Sequence, residues 1–403
     1  MARINNNELV KRIARLAKQN RELEKQIKKL EKQNEELASE NEQLKSVHSK
    51  TILQKSFKFN MATVLFADIR GFLKLVEKID SYVIMDELDE ILREFDTIVA
   101  KRNIEKIKTI GDAYMCAGGI PTKNIVNPVE VVLAAIEMRN FLNEYETSKR
   151  GENRIWDMKI GVHTGPVTAT ISGKKKLNYD IKGDTVNTVK RIEAISDHSV
   201  ILISVMTYEL VKEFFDCEYY GKLPVKYKGD LQMFKVKGLK AELSVNGLGM
   251  AANDAFRVKF GLFQFADIQE MILDKLENEL PDYLYYHNVK HTVDVVTEVE
   301  LIGWGEGCSD EEILLLKTAA LFHDAGHTVA YDNHEFHGTQ LAREILPAYN
   351  YTLEQIDTIC KIILATKLPP KPANLLNVSS ATRILIILEE AILFLCQTLF
   401  MKS

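Results

Sequence analysis

Two aspartates stand where apolar runs stop. Asp68 follows Ala62-Thr63-Val64-Leu65-Phe66-Ala67 and precedes Ile69-Arg70-Gly71-Phe72. Asp112 follows Lys106-Ile107-Lys108-Thr109-Ile110-Gly111 and precedes Ala113-Tyr114-Met115. A hairpin with Gly111-Asp112 at its tip brings Asp112 beside the end of a neighbouring strand, and so beside Asp68. Carboxylates that close repel unless a cation or a proton lies between them. Paired carboxylates with open space around them suit Mg²⁺, which takes few protein ligands and accepts phosphate oxygens in its remaining positions.

Further along, Asn187 and Arg191 lie four apart in Thr185-Val186-Asn187-Thr188-Val189-Lys190-Arg191, a spacing that puts both on one face of a helix. Six of the nine histidines fall between His287 and His337. They include Tyr286-His287-Asn288-Val289-Lys290-His291 and Leu321-Phe322-His323-Asp324-Ala325-Gly326-His327, where imidazoles and a carboxylate share a short stretch.

The elements that position these groups follow from periodicity. Val64-Leu65-Phe66, Ile104 to Ile110, Ala113 to Ala117, Met158 to His163 and Val200 to Ile203 read as strands; Tyr82 to Arg102, Pro128 to Tyr145 and Thr185 to Ile195 read as helices. Strand, helix, hairpin, helix, strand is the order of a ferredoxin-like βαββαβ core, and the stretch from about Ala252 reads as helical. In residues 1–48, Leu9, Leu16, Leu23, Leu30, Leu37 and Leu44 recur every seven positions. Ile13, Asn20, Ile27, Asn34 and Asn41 take the other core position, the pattern of a parallel two-stranded coiled coil. The expected division is therefore a coiled coil (1–48), a coupling linker (49–60), a catalytic domain (61–250), a partial helical domain (251–375) and an aberrant tail (376–403). The fold class is α+β with coiled-coil and all-α appendages.

Composition narrows the classes. A net charge of −5 argues against general nucleic-acid binding. Five scattered cysteines without a CxxC fit reduced thiols in a cytoplasmic protein. The polar start predicts no signal peptide. Glu389-Glu390 interrupt the apolar stretch from Ile384 to Phe400, so no membrane span is expected.

Phe66 to Phe72, Lys108 to Tyr114, Gly161-Val162-His163-Thr164-Gly165-Pro166-Val167 and Gly183-Asp184-Thr185-Val186-Asn187 together resemble the catalytic domain of class III adenylate and guanylate cyclases. The resemblance implies attack of a ribose 3′-hydroxyl on the α-phosphate, giving a cyclic nucleotide and pyrophosphate. It implies that Asp68, Asp112 and the backbone of Ile69 hold two Mg²⁺ (or Mn²⁺) ions, and that the backbone of Ile69, Gly71 and Phe72 lies near the phosphates. It further makes Asn187 the ribose-orienting residue, Arg191 the residue that meets charge at the α-phosphate, and Lys237 a phosphate contact.

Lys108 and Asp180 stand where this family reads the base. Adenine offers an acceptor at N1 and a donor at its amino group, and guanine reverses both. Lysine only donates and an ionised aspartate only accepts, so the pair points to ATP; an ion pair between the two is the plainer reading. In the family each site lies between two catalytic domains, so a homodimer of this chain would carry two equivalent sites, with the zipper supplying the dimer.

The histidine motifs resemble HD-type metallohydrolases, most closely the cyclic-nucleotide phosphodiesterase branch. This implies His291, His323 and Asp324 as metal ligands, His287 as general acid and His334 as an aid to a second metal. A late aspartate is also required, yet the chain has none beyond Asp357, which leaves any divalent metal here one ligand short. One set of codons for Ala381 to Ile392, read in a shifted frame, yields Asp-Ala-Asp-Phe-Asp-Tyr-Phe-Gly. The expectation is a frameshift between Leu375 and Ser380. The whole chain is thus expected to be a homodimeric adenylate cyclase. The alternatives are a cyclic-nucleotide phosphohydrolase and a nucleotide-binding regulator without turnover.

Overall fold

A computed structural model describes residues 56–70, 81–150, 156–172, 178–225, 229–281, 283–285 and 287–367. The expected coiled coil, the tail, Gly71 and Phe72 lie outside the described residues.

Among the described residues eight strands form one sheet: β1 (Ser56–Arg70), β2 (Glu105–Ile110), β3 (Ala113–Gly118), β4 (Asp157–Ser172), β5 (Asn178–Lys182), β6 (Ile201–Ser204), β7 (Phe215–Val225) and β8 (Gly229–Leu239). Their order is β2-β3-β1-β4-β6-β8-β7, with β5 paired to β4. Its first four strands, with α1 (Ser81–Lys101) between β1 and β2 and α2 (Asn127–Arg150) between β3 and β4, are the expected βαββαβ unit. Two further helices, α3 (Asp184–Ile195) and α4 (Val205–Val211), flank β6. β1 begins at Ser56, so the last residues of the expected linker belong to the sheet; Phe57 is exposed and Phe59 buried. The β7–β8 hairpin and β5 are additions to the sequence reading.

The C-terminal region is helical: α5 (Asp254–Glu279), α6 (Val289–Gly305), α7 (Asp310–Phe322), α8 (His334–Ile345) and α9 (Leu353–Ala365). Polar caps start four of them, and in α6 the Asn288 side chain accepts from His291 N–H. Asn253 accepts from Phe256 N–H, while Ser309 with Glu312 and Thr352 with Gln355 form capping boxes. Helix α5 is shared between two cores. Phe256 and Phe260 pack with the sheet's core, whereas Phe265, Ile268, Ile272 and Leu276 pack with α6, α7 and α9. The expected boundary at 250/251 thus falls just before a helix that belongs to both sides. No helix among the described residues is long and apolar enough to cross a membrane.

Candidate active site

The β1–β3 pairing places the two aspartates together. Asp68 stands opposite Ala113, and Ile69 N–H donates to the Asp112 carbonyl at 3.1 Å. The β2–β3 loop is two residues, Gly111-Asp112, and Gly111 has φ of +63°, which a tight hairpin loop demands at its first position. Both aspartates are half-buried. Two carboxylates at the ends of neighbouring strands are hard oxygen donors, the kind that suits a divalent cation.

Lys106 and Lys108 would share a face in a regular strand. A register shift between them leaves Ile107 unpaired, and the two lysines reach different partners. Lys106 Nζ bonds Asp96 of α1 at 2.7 Å; Lys108 Nζ donates to Asp180 Oδ1 of β5, also at 2.7 Å. The two predicted base-reading residues therefore meet, as a partly exposed ion pair.

Asn187 and Arg191 lie on the exposed side of α3. The opposite side of that helix is pressed onto β4. A Cβ on Gly161 would stand 2.7 Å from the Val189 carbonyl oxygen and 2.6 Å from Glu193 N, so glycine is what lets helix and strand approach. At the N-terminal end, Thr185 Oγ1 donates to the Pro166 carbonyl at 2.7 Å. Lys190 Nζ sits 5.4 Å from the centre of the Phe66 ring, which puts α3 over β1. Arg191 donates to the Pro224 carbonyl, and Lys237 pairs with Glu218 on the adjacent strand.

A second constellation gathers in the helical region around Asp324, which is almost fully buried. Its Oδ2 lies 2.7 Å from His287 Nδ1, 3.1 Å from His323 Nε2 and 3.5 Å from His291 Nε2. Its Oδ1 lies 3.9 Å from His327 Nε2 and 4.0 Å from His334 Nε2. Burial alone would raise the Asp324 pKa. The charge on His323 and the hydrogen bond from His287 outweigh that and hold the carboxyl well below its usual range. Burial, reinforced by a neighbouring imidazole, lowers His291 and His327 to about 4. Burial works against charge on His323 as well, but Asp324 reverses the balance and raises it.

Two ligand triads result, His287/His291/Asp324 and Asp324/His327/His334, with the ligand atoms of each within 4.8 Å of one another. Neither nitrogen of buried His327 has a hydrogen-bond partner among the described residues, although buried polar atoms are normally satisfied. His291 and His327, both lowered, beside the lowered Asp324 carboxyl are nitrogen and oxygen donors that fit a divalent metal. His327 was not among the sequence candidates, although it lies four residues after His323 and three after Asp324 in the same motif.

Residues 55–238 match the family described as "Adenylate and Guanylate cyclase catalytic domain", and residues 288–393 match the HD domain. Receptor-type guanylate cyclase gcy-8 of Caenorhabditis elegans is 34% identical over 188 residues, 46% of this chain and 16% of that protein. Guanylyl cyclase C of Homo sapiens is 31% identical over 201 residues, 49% of this chain and 18% of that protein. Among solved structures, the adenylyl cyclase CyaB from P. aeruginosa is 29% identical, with 45% of this chain and 95% of that one covered and a TM-score of 0.42. The chain spans less than a fifth of the length of these two curated relatives. Residues 55–238 are accordingly a class III adenylate/guanylate cyclase catalytic domain, and an HD domain follows it over residues 288–393.

Proposed function

We propose that the chain is a homodimeric adenylate cyclase converting ATP to 3′,5′-cyclic AMP and pyrophosphate. The observation that carries the choice of base is the Lys108–Asp180 pair at 2.7 Å. It sets a donor beside an acceptor, the complement of adenine N1 and the 6-amino group. The curated relatives named above are guanylate cyclases, so this pair is what separates the two substrates.

On this reading Asp180 accepts from the 6-amino group and Lys108 donates to N1. Asn187 orients the ribose, and Arg191 meets the negative charge that grows at the α-phosphate. Lys237 holds a phosphate, together with the backbone of Ile69, Gly71 and Phe72. Asp68, Asp112 and the Ile69 carbonyl hold two Mg²⁺ or Mn²⁺, which when bound neutralise phosphate charge and acidify the 3′-hydroxyl. The bond from the 3′-oxygen to the α-phosphorus forms as the bond from that phosphorus to its bridging oxygen breaks. Pyrophosphate leaves with the electron pair, and the hydroxyl proton passes to water. The aspartates come from one protomer and the base-reading and arginine groups from its partner, with the zipper of residues 1–48 holding the pair in register.

The test is turnover of ATP and of GTP by the full chain with Mg²⁺ or Mn²⁺. Cyclic AMP and pyrophosphate from ATP, with GTP at least about tenfold poorer, support the reading. Preference for GTP overturns the base assignment, and turnover of neither overturns the cyclase assignment. A second reading, hydrolysis of a cyclic nucleotide at Asp324, rests on the five imidazoles around that carboxylate; it predicts metal-dependent loss of added cyclic AMP.

A further inference from the structure

The shared helix α5 carries a carboxylate that reaches into the cyclase domain. Asp267 stands where α5 passes from one core to the other. Both of its oxygens accept from Ile125 N–H, at 2.9 and 3.1 Å. That turn leads into α2, and a carboxylate at a helix N-terminus is favoured by the helix dipole as well as by the bond. Burial still raises the Asp267 pKa, against the Ile125 bond, so the carboxylate is partly withdrawn from water.

Two residues on, Asn127 is buried to 2% exposure. Its Oδ1 accepts from Thr63 N–H at 3.1 Å and from Thr63 Oγ1 at 2.7 Å, and its Nδ2 donates to the Asn124 carbonyl at 2.6 Å. The far edge of this amide is closed by Gly119, the residue after β3, because a Cβ there would lie 2.9 Å from Asn127 Nδ2. Asn127 therefore has one position. Thr63 opens the part of β1 paired to β3, in a continuous register with Gly118 that ends at Asp68 opposite Ala113. Thr63 Oγ1 also lies 3.0 Å from Thr164 Oγ1 on β4, which is 3.1 Å from Thr207 Oγ1 on α4.

We infer that Asp267 is a positioning residue for the cyclase site: it fixes the 125–127 turn, the turn fixes Asn127, and Asn127 fixes the strand that ends in Asp68. The C-terminal helical region thereby contributes to the geometry of a reaction in which none of its side chains takes part. This rests on the proposed cyclase activity for its kinetic consequences and not for its structural ones.

The test uses the full chain in five forms: wild type, Asp267→Ala, Asp267→Asn, Thr63→Val, and Asp267→Ala with Thr63→Val. Lys275→Ala, also on α5, serves as the control. Amide hydrogen exchange over residues 62–68 should rise about tenfold in Asp267→Ala. Asp267→Asn, which keeps one acceptor, should restore most of the protection, and Lys275→Ala should change nothing. In cyclase assays Asp267→Ala should lower kcat about tenfold, with KM for nucleotide within about twofold and a higher metal concentration for half-activation. The double variant should be no worse than the poorer single, because both changes act through Asn127. Should Asp267→Ala not fold, Thr63→Val reads the same link from the other end, by faster exchange at residues 124–127. Unchanged exchange in the folded variants, or additive losses, overturns the inference. Responsive exchange in a chain that makes no cyclic nucleotide keeps the inference and discards the cyclase reading.

Discussion

Lys108 and Asp180, 72 residues apart in the chain, meet at 2.7 Å between β2 and β5. Their side chains keep 38% and 45% of their exposure. An ion pair so open to water contributes at most about 1 kcal/mol, so little is lost when a ligand parts it. A planar base with a matching acceptor and donor can take both ends at once.

Reversing the pair should reverse the preference. Lys108→Glu with Asp180→Ser presents an acceptor and a small hydroxyl, and kcat/KM for ATP should fall about a hundredfold while the GTP-to-ATP ratio rises. Initial rates with both nucleotides, measured on one preparation, check this. An unchanged ratio would leave Lys108–Asp180 as a surface ion pair.

A shared site predicts rescue. Asp68→Ala and Arg191→Ala should each abolish cyclase activity. Mixed in equal amounts and allowed to exchange protomers, they should recover about a quarter of wild-type activity. Half of the dimers are then mixed, and each mixed dimer keeps one of its two sites. Mixed dimers shown by mass spectrometry to be present but inactive would place all the catalytic groups in one protomer.

The Gly161 contact predicts a structural cost with a kinetic consequence. Gly161→Ala forces a Cβ against the Val189 carbonyl oxygen and Glu193 N, so α3 must move away from β4. Stability should fall by about 1–3 kcal/mol, and kcat should fall with it because Asn187 and Arg191 ride on that helix. Denaturant melts and kinetics on the remaining folded protein separate the two effects. Unaltered kcat would uncouple α3 from turnover.

Acid should weaken the helical region. His291 and His327 are lowered to about 4, from an ordinary 6.5. Between those values the unfolded chain binds protons that the folded chain refuses, so the stability they contribute is present above 6.5 and is lost as pH falls towards 4. His323 is raised and works in the opposite sense. Thermal melts from pH 7.5 to 4.5 should show a falling transition for the helical region, with the fall reduced in His327→Gln.

The order of the core elements was legible because each obeys one period. Val64-Leu65-Phe66 and Met158 to His163 lie in strands, and Tyr82 to Arg102 and Thr185 to Ile195 mark helices, close to the bounds found. β5 and the β7–β8 hairpin were not. β5 is short, and the long hairpin carries register shifts between Asp216 and Cys217 and between Tyr219 and Gly221 that break the alternation a sequence reader counts. His327 is a related case: that neither of its nitrogens has a hydrogen-bond partner among the described residues shows only once the surrounding imidazoles are in place.

What the sequence determined by itself is chemical type and local period: which side chains donate, which accept, and which stretches turn at 3.6 or at 2.0 residues. The tertiary structure decided pairing. Lys106 and Lys108 are two apart and equivalent by alternation, yet the unpaired Ile107 sends one to Asp96 on α1 and the other to Asp180 on β5. Asp267 is likewise an ordinary helix-surface acid until folding sets it on the Ile125 amide, 142 residues earlier in the chain. Such contacts depend on register and on the docking of distant elements, which no local pattern of residues encodes.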